Sequence, residues 1–356
     1  MEAAGVDLFV NQRNLAVGGL FEIAASLPRV IDTWRKMLRC LRETDPDLVV
    51  LVDSGGFNLP FAKRIRAHSR AKVLYYVAPQ VWAWREKRLR RLASRTDRIA
   101  VILPFEANYY AEKGVQVDFV GHPAVDGLHK EFAHTGSGRD ASRAIARTRH
   151  AIPEGDLVLG LFPGSRRNEL ARHLPIQLEA FLRLRERQPE FRALKAIVGL
   201  APNLDRAGAL AIAAEVCPRA SDALRVLSME ENTLLDACDV ALAKPGTITV
   251  ELMLRGIPMV VMGRVHPVSA MIARRSLKVD WLSMPNLIAQ EEIVPERLQQ
   301  AATPESISSA LAPLFWGEAR DRQIKALAVA ARVLGPPGAA DRTAAIVEEL
   351  LGTRPA

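Results

Sequence analysis

The chain has 356 residues, of which 49% are hydrophobic and 25% are charged, a globular balance with enough apolar material for two cores. Its three cysteines, without CxxC spacing, exclude a disulfide framework and a zinc cluster, and no apolar run reaches the ~18–20 residues of a membrane span. The net charge of +8 favours a polyanionic partner such as nucleic acid, a phosphorylated substrate or an anionic membrane.

Short apolar runs alternate with helical patterns along the chain, which predicts parallel sheets covered on both faces, the doubly wound α/β class. The predicted strands are 48–52, 73–77, 98–102, 117–120, 157–162, 194–199, 239–242 and 258–262. The predicted helices are 29–43, 85–95, 105–113, 168–187, 230–237 and 247–255. The N-terminal residues contain no basic segment followed by an apolar one, so we expect a cytoplasmic protein without a signal peptide.

The first amphipathic stretch, "VGGLFEIAASLPRVIDTW" (17–34), has apolar residues at helical spacing interrupted by Pro28. It predicts either a helix that faces the core or a membrane-surface patch, at 20–31, that receives a lipid.

The sequence "VDSGGFN" begins at the end of the first predicted strand, and Asp53 stands at the strand tip. Residues just after the strands of an open α/β sheet face its ligand. Three interpretations are open for Asp53: a helix cap, a nucleotide-binding loop residue, or a catalytic carboxylate.

The segment "YYVAPQVWAWREKRLRRL" (75–92) places Trp82 and Trp84 before a basic run at 85–98 that begins with Arg85. Aromatic and cationic side chains together indicate either RNA stacking or a groove for sugar and phosphate. The structural alternatives are that one tryptophan belongs to the core and that the basic run is a solvated helix face. Further on, His122 in "VGHP" follows a strand and is either a site residue or a structural histidine.

The polar segment 128–155 precedes a new strand and predicts a linker with a short helix. Strand and helix then alternate again, which predicts two α/β halves with a cleft between them.

The turn "LFPGSRRNEL" (161–170) leads from a strand into a helix. Gly164 permits a tight turn, Ser165 is a potential cap, and Arg166 offers a guanidinium matched to phosphate oxygens. The turn therefore predicts an anion site, and an ordinary capped turn is the structural alternative.

The sequence "ALAKPGTITVELMLRGIPMVVM" (241–262) contains a second strand-to-helix turn. Gly246 and Thr247 open a helix that can take a diphosphate, and Glu251 lies one turn deeper, where a carboxylate can accept hydrogen bonds from ribose hydroxyls. With the 163–166 turn this predicts a nucleoside diphosphate site without a metal or a P-loop. The alternative for Glu251 is an exposed helix residue.

Six motifs in order, "YYVAPQVWAWREKR", "LPFEANYY", "FVGHPAVD", "LFPGSRRNEL", "KPGTITVELML" and "LSMPNLIA", resemble the lipid A disaccharide synthases. The resemblance runs from about residue 3 to 330. It implies an α/β GT-B glycosyltransferase with two Rossmann-like domains: an acceptor domain (1–127), a linker (128–155) and a UDP-sugar domain (156–325). A C-terminal helix (326–356) is expected to pack back on the first domain.

The family reaction joins UDP-2,3-diacylglucosamine to 2,3-diacylglucosamine 1-phosphate, inverts the anomeric centre and releases UDP without a metal or cofactor. By resemblance, Asp53 is the expected general base. The expected UDP-binding residues are Gly164, Ser165, Arg166, Gly246, Thr247, Glu251 and Asn286. The residues expected around the acceptor are Asn58, Trp84, Arg85 and His122.

Two departures from the family pattern leave alternatives open. By resemblance, Gly55 and Gly56 stand where the family has Pro and Asp. The same resemblance leads us to expect that the given sequence aligns from inside the first domain, after the first strand and loop of its relatives. The alternatives are a related transferase with another acceptor and a non-catalytic protein that binds UDP-sugar or lipid. We expect a peripheral association with the cytoplasmic face of the inner membrane and no nucleic-acid partner, and the oligomeric state stays open.

Overall fold

A computed structural model describes residues 5–10, 20–84, 88–135, 138–218, 221–229, 232–267, 270–271 and 279–352. The chain divides into two compact units, one formed by Met1–Gly121 with Gly338–Ala356 and the other by His122–Pro337. The strands are β1 Leu48–Val52, β2 Lys72–Tyr76, β3 Arg98–Val101, β4 Asp118–Phe119, β5 Val158–Phe162, β6 Lys195–Leu200, β7 Leu224–Ser228, β8 Val240–Ala243, β9 Met259–Gly263 and β10 Glu296–Leu298.

The helices connect these strands. They are α1 Leu20–Thr44, α2 Gly55–His68, α3 Val81–Trp84, α4 Leu89–Ala93, α5 Pro104–Glu112, α6 Pro123–Thr135, α7 Arg139–Arg149, α8 Arg167–Arg187, α9 Arg206–Val216, α10 Thr247–Leu254, α11 Met284–Ala289, α12 Pro304–Leu311, α13 Glu318–Val333 and α14 Ala339–Leu351. No helix in the described ranges is both long and apolar enough to cross a membrane.

The first unit is built on a four-stranded parallel sheet in the order β1-β2-β3-β4, with β1 at one edge. Its alternate side chains pack on opposite faces because strand residues have a period of two. On one face, Leu51, Val73 and Tyr75 pack with Phe61 of α2 and Leu41 of α1. The C-terminal half of α1 therefore faces the core, whereas the side chains at 20–27, most of the predicted lipid patch, lie outside the described residues.

The last helix, α14, covers the other face of the same sheet. Its Ile346 packs on Leu74, Ala100 and Val120, and the Arg342 guanidinium donates to the carbonyl oxygen of Val120 at 2.8 Å. Thus the C-terminal residues after Gly338 belong to the first unit, while α13 belongs to the second.

The second unit has six parallel strands in the order β10-β9-β8-β5-β6-β7. This is the dinucleotide-binding arrangement in which strand order reverses between the first strand, β5, and its neighbour β8. Both strands are buried on all sides, so they consist of apolar residues without alternation. The reversal leaves a crevice at their carboxyl ends, where ligands bind in such sheets.

The segment predicted as a linker, 128–155, contains the end of α6 and all of α7. Arg147 of α7 donates to three carbonyl oxygens of the following loop and pairs with Asp239 at 2.9 Å. Asp239 also binds Arg143 of α7 at 2.6 Å. Through these contacts α7 packs on the second unit. The buried charge of Arg147 is paired there with Asp239, which offsets the cost of its desolvation.

Candidate active site

The turns after β5 and β8 lie side by side at the strand-order reversal of the second unit. The first turn leads into α8 and the second into α10. The predicted residues Gly164, Ser165, Arg166, Gly246 and Thr247 all lie on these two turns. Two helix N-termini and their dipoles therefore meet at the crevice, which favours an anion there.

A glutamate that the sequence did not single out, Glu169, organises the first turn. Its Oε2 accepts a hydrogen bond from the backbone N–H of Ser165 at 3.1 Å. Its Oε1 lies 3.0 Å from Nη1 of Arg166 and 3.2 Å from Nζ of Lys244 on the second turn. Burial alone would raise the pKa of Glu169, but Lys244 and Arg166 outweigh it and lower that pKa. The backbone N–H of Ser165 is thus already hydrogen-bonded within the protein.

Glu169 also explains the need for glycine at 164. Gly164 has φ +123°, and a Cβ there would lie 2.9 Å from the Cβ of Glu169. Only glycine combines this backbone conformation with so close a neighbour.

The second turn presents an exposed threonine and a buried one. Thr247, the first residue of α10, is exposed to solvent. Thr249 is buried, and its hydroxyl donates to the carbonyl oxygen of Gly246 at 2.7 Å. The hydroxyl of Thr247 is therefore the one that can meet a ligand.

Glu251 lies one turn further along α10 and is half-buried. Within the described ranges its Oε2 is buried without a hydrogen-bond partner. Burial raises the pKa of Glu251; Arg255 offsets part of the rise and Glu131 adds to it. An unsatisfied buried acceptor is costly, and a hydroxyl donor from a ligand would remove that cost.

Asn286, expected to bind UDP, makes its hydrogen bonds within the protein. It is fully buried at the start of α11. Its Nδ2 donates to Val294 O at 2.9 Å and to Glu296 at 3.1 Å, and its Oδ1 accepts from the N–H groups of Ile293 and Val294. Every hydrogen-bonding group of this amide is thus used within the protein, and a contact of Asn286 with UDP stays a prediction.

In the first unit, Asp53 and Ser54 follow β1 with φ of +45° and +44°. Such left-handed backbone in non-glycine residues is strained and concentrates at functional sites. The Asp53 N–H donates to Tyr76 O at 3.0 Å, and its carbonyl oxygen accepts from the Tyr75 hydroxyl at 2.6 Å. The Asp53 side chain is exposed, and α2 starts from Ser54 without a side-chain cap, so Asp53 is not a helix cap.

Asn58, expected near the acceptor, is buried under this strand end. Its Nδ2 donates to the carbonyl oxygens of Val52 and Asp53 at 2.9 and 2.8 Å. The amide nitrogen of Asn58 thus holds the strand end that carries Asp53, and a place for Asn58 near the acceptor stays a prediction.

The two glycines that depart from the family pattern differ from each other. A Cβ on Gly55 would lie 2.7 Å from the Cβ of Pro79. A Cβ on Gly56 would have no heavy atom within 4 Å. Close packing requires the first glycine, while the second position has room for a side chain.

The remaining predicted acceptor residues are His122, Trp84 and Arg85. His122 precedes α6 and is buried, which lowers its pKa to about 4, and its Nδ1 accepts from the Ala124 N–H at 3.1 Å. Arg85 and the side chain of Trp84 lie outside the described residues. Trp82 is the core tryptophan: its indole N–H donates to buried Glu106 at 2.9 Å.

Part of the basic run is also used structurally. Arg95 donates to Leu59 O at 2.8 Å, and Arg98 pairs with Asp118 and Glu349, both at 2.7 Å. Arg90 and Arg91 of the same run are exposed.

Sequence reasoning missed Glu169, Lys244 and Tyr75. The position of Glu169 in the first turn of α8 was an available signal, because an acidic residue there can reach back to the N-terminal N–H groups. No local signal identifies Tyr75, because its partner Asp53 lies on the neighbouring strand.

A family model described as Lipid-A-disaccharide synthetase matches residues 1–335. The lipid-A-disaccharide synthase of Geobacter metallireducens is 35% identical over 358 residues, covering 99% of this chain and 88% of that protein. The enzyme of the same name from Nitrosococcus oceani is 37% identical over 308 residues, covering 86% and 75%.

Solved structures share the fold at low sequence identity. UDP-GlcNAc 2-epimerase from Neisseria meningitidis, bound to UDP-GlcNAc, has a TM-score of 0.64 at 14% identity and covers 95% of this chain and 83% of its own. The UDP-forming trehalose-phosphate synthase of Burkholderia vietnamiensis has a TM-score of 0.53 at 14% identity, covering 96% and 79%. With the two parallel-sheet units, these likenesses show the GT-B fold.

Proposed function

Since this chain belongs to the lipid-A-disaccharide synthase family, we propose that it is the glycosyltransferase of lipid A biosynthesis that its relatives are named for. It joins UDP-2,3-diacylglucosamine to 2,3-diacylglucosamine 1-phosphate, forms a β-1,6 disaccharide and releases UDP. The family match spans most of the chain, which favours this reaction over a non-catalytic role.

One observation carries the donor assignment. The turn with Gly164, Ser165 and Arg166 lies beside the turn with Gly246 and Thr247, where strand order reverses. In the proposed complex, Arg166 and the two helix N-termini bind the diphosphate. Oε2 of Glu251, one turn further along α10, has no hydrogen-bond partner among the described residues, and in the proposed complex it accepts hydrogen bonds from the ribose hydroxyls.

The proposed reaction is a single displacement. The acceptor's 6-hydroxyl oxygen attacks C1 of the donor sugar while the Asp53 carboxylate takes its proton, and the bond from C1 to the β-phosphate oxygen breaks with its electron pair leaving on UDP. Positive charge on Arg166 and the helix N-termini stabilises the departing diphosphate. The exposed side chain and the fixed, strained backbone of Asp53 support this role.

We also propose that the acceptor is bound at the cytoplasmic face of the inner membrane, with the protein as a peripheral partner. The phosphorylated, acylated acceptor is a membrane lipid, and the net charge of +8 favours an anionic surface. Exposed Arg90 and Arg91 are candidates for this attraction.

The test is UDP release from UDP-2,3-diacylglucosamine with and without 2,3-diacylglucosamine 1-phosphate. We expect release that depends on the acceptor, together with a disaccharide product. Release of UDP at the same rate without acceptor, or none with it, would refute the proposal.

A further inference from the structure

Glu169 joins two cations that come from different turns of the nucleotide-binding unit. Its carboxylate contacts Arg166 on the turn after β5 and Lys244 on the turn after β8. We propose that Glu169 is a positioning residue for the donor diphosphate, which holds Arg166 and Lys244 in their binding arrangement before UDP arrives. This inference rests on the proposed function, because the diphosphate is that of the UDP-sugar.

The geometry is that of a shared carboxylate. Oε1 of Glu169 accepts from Arg166 at 3.0 Å and from Lys244 at 3.2 Å, and Oε2 accepts from the Ser165 N–H at 3.1 Å. The Glu169 side chain is only 14% exposed, whereas that of Arg166 is 51% exposed. The carboxylate of Glu169 is thus mostly buried, and the guanidinium of Arg166 remains accessible to a ligand.

The two cations keep free donors while Glu169 holds them. A guanidinium has five N–H donors and an ammonium has three, so each can bind the carboxylate and phosphate oxygens together. Without the carboxylate, two like charges at one crevice would repel each other and adopt separate rotamers. Ordering such long side chains costs free energy on binding, and a preformed arrangement avoids that cost.

The first turn is shaped around this carboxylate. Gly164 leaves the space that the Glu169 side chain occupies, and any side chain at 164 would displace it. The low pKa of Glu169 keeps it charged at neutral pH, as the arrangement requires. The alternative is that Glu169 competes with the diphosphate for the same donors. In that case Glu169→Gln should lower the dissociation constant of UDP instead of raising it.

The experiment measures the dissociation constants of UDP and of uridine for the wild type and for Glu169→Gln. We expect the UDP constant to rise about tenfold, as for loss of a hydrogen bond to a charged group, and the uridine constant to stay unchanged because uridine has no phosphate. Glu179→Gln is the matched control, since Glu179 is an exposed acid on the same helix. It should bind UDP like the wild type.

A second variant keeps the test valid if Glu169→Gln folds poorly. Lys244→Gln should raise the dissociation constant of UDP and leave that of uridine unchanged. The double variant should have a UDP dissociation constant no higher than the higher of the two single-variant values, because both changes break the same contact between Glu169 and Lys244. Additive losses, or equal losses for UDP and uridine, would overturn the inference.

The outcomes separate the inference from the proposed function. A wild type that binds no UDP would refute the proposed function and the inference with it. If the wild type binds UDP and Glu169→Gln binds it as tightly or more tightly, only the inference fails.

Discussion

The hydroxyl of Tyr75 donates a hydrogen bond to the carbonyl oxygen of Asp53 across two neighbouring strands, at 2.6 Å. Asn58 donates to the same oxygen at 2.8 Å. Two buried donors on one carbonyl hold the strained backbone of Asp53 and leave its carboxylate exposed. A strand tip fixed in this way suits a base that must meet a substrate hydroxyl in one geometry.

Replacing Asp53 by Asn should lower kcat by about 10²–10⁴-fold, the usual share of a general base. The dissociation constant for UDP should not change, because Asp53 is not among the proposed donor-binding residues. Steady-state kinetics and UDP titration measure the two effects. Asp47→Asn, at the other end of the same strand, is the control and should turn over normally. Undiminished turnover of Asp53→Asn would exclude Asp53 as the base.

The variant Tyr75→Phe removes one of the two hydrogen bonds on the Asp53 carbonyl. Burial and the charge of Asp53 raise the pKa of Tyr75, so its hydroxyl is a protonated donor throughout the working pH range. We expect kcat to fall by up to about tenfold with unchanged KM, and the free energy of unfolding to fall by about 1 kcal/mol. Tyr110→Phe removes a hydroxyl that donates to Pro79 instead, and it should show the stability loss alone. A normal kcat for Tyr75→Phe would mean that Asn58 suffices to hold Asp53.

Glu251→Gln should stabilise the free protein while weakening UDP binding. The carboxylate has a buried oxygen with no hydrogen-bond partner among the described residues, and a neutral amide costs less to bury. We expect the midpoint of thermal unfolding to rise and the dissociation constant for UDP to increase by about 10–100-fold, as when a hydrogen-bonding group of a site is lost. The loss should be smaller for 2′-deoxyuridine diphosphate. An equal increase of the dissociation constant for both nucleotides would contradict the ribose contact. The control is Glu186→Gln, because Glu186 is an exposed glutamate.

Asn286→Ala should affect stability and not the nucleotide. The side chain makes four hydrogen bonds within the protein, so its removal leaves buried backbone groups unsatisfied, at a cost of about 2–4 kcal/mol. Denaturant unfolding measures this cost, and UDP titration below the unfolding transition should give the wild-type constant. Weakened UDP binding without loss of stability would restore the contact expected from the family motif.

The buried carboxyl of Glu106 predicts a dependence of stability on pH. Burial raises its pKa to about 7, although Trp82 and the Leu103 N–H donate to it. Because this pKa lies above the ordinary value, the folded protein takes up a proton, and the associated stability is lost as pH rises from about 4.5 through 7, by up to about 3 kcal/mol. Urea unfolding of Glu106→Gln between pH 5 and 8 should show a flatter profile than the wild type. Glu112→Gln, an exposed acid on the same helix, should retain the wild-type slope.

Strands that are buried on both faces were predictable from the sequence to within one or two residues. β5 and β8 are continuous apolar runs because every side chain faces a helix layer. β7 and β10 were missed because they are edge strands in which charged residues such as Arg225 and Glu296 interrupt the apolar pattern. The helices in 128–155 were also underestimated, since α7 is mostly polar and its buried Arg147 pairs with Asp239, which is distant in sequence.

Local patterns thus determined the α/β class, the strand tips and the two turns at the strand-order reversal, because strand and helix periodicities and turn residues act over a few neighbouring positions. The tertiary structure decided which side chains are free to act. In the part of the chain that the structure describes, the Asn58 amide nitrogen, the Asn286 amide and Nδ1 of His122 are bonded within the protein. The Asp53 side chain is exposed, one oxygen of Glu251 has no hydrogen-bond partner there, and Glu169 is joined to Lys244. Hydrogen bonds and ion pairs form between residues brought together by strand order, and no local stretch of sequence contains that order.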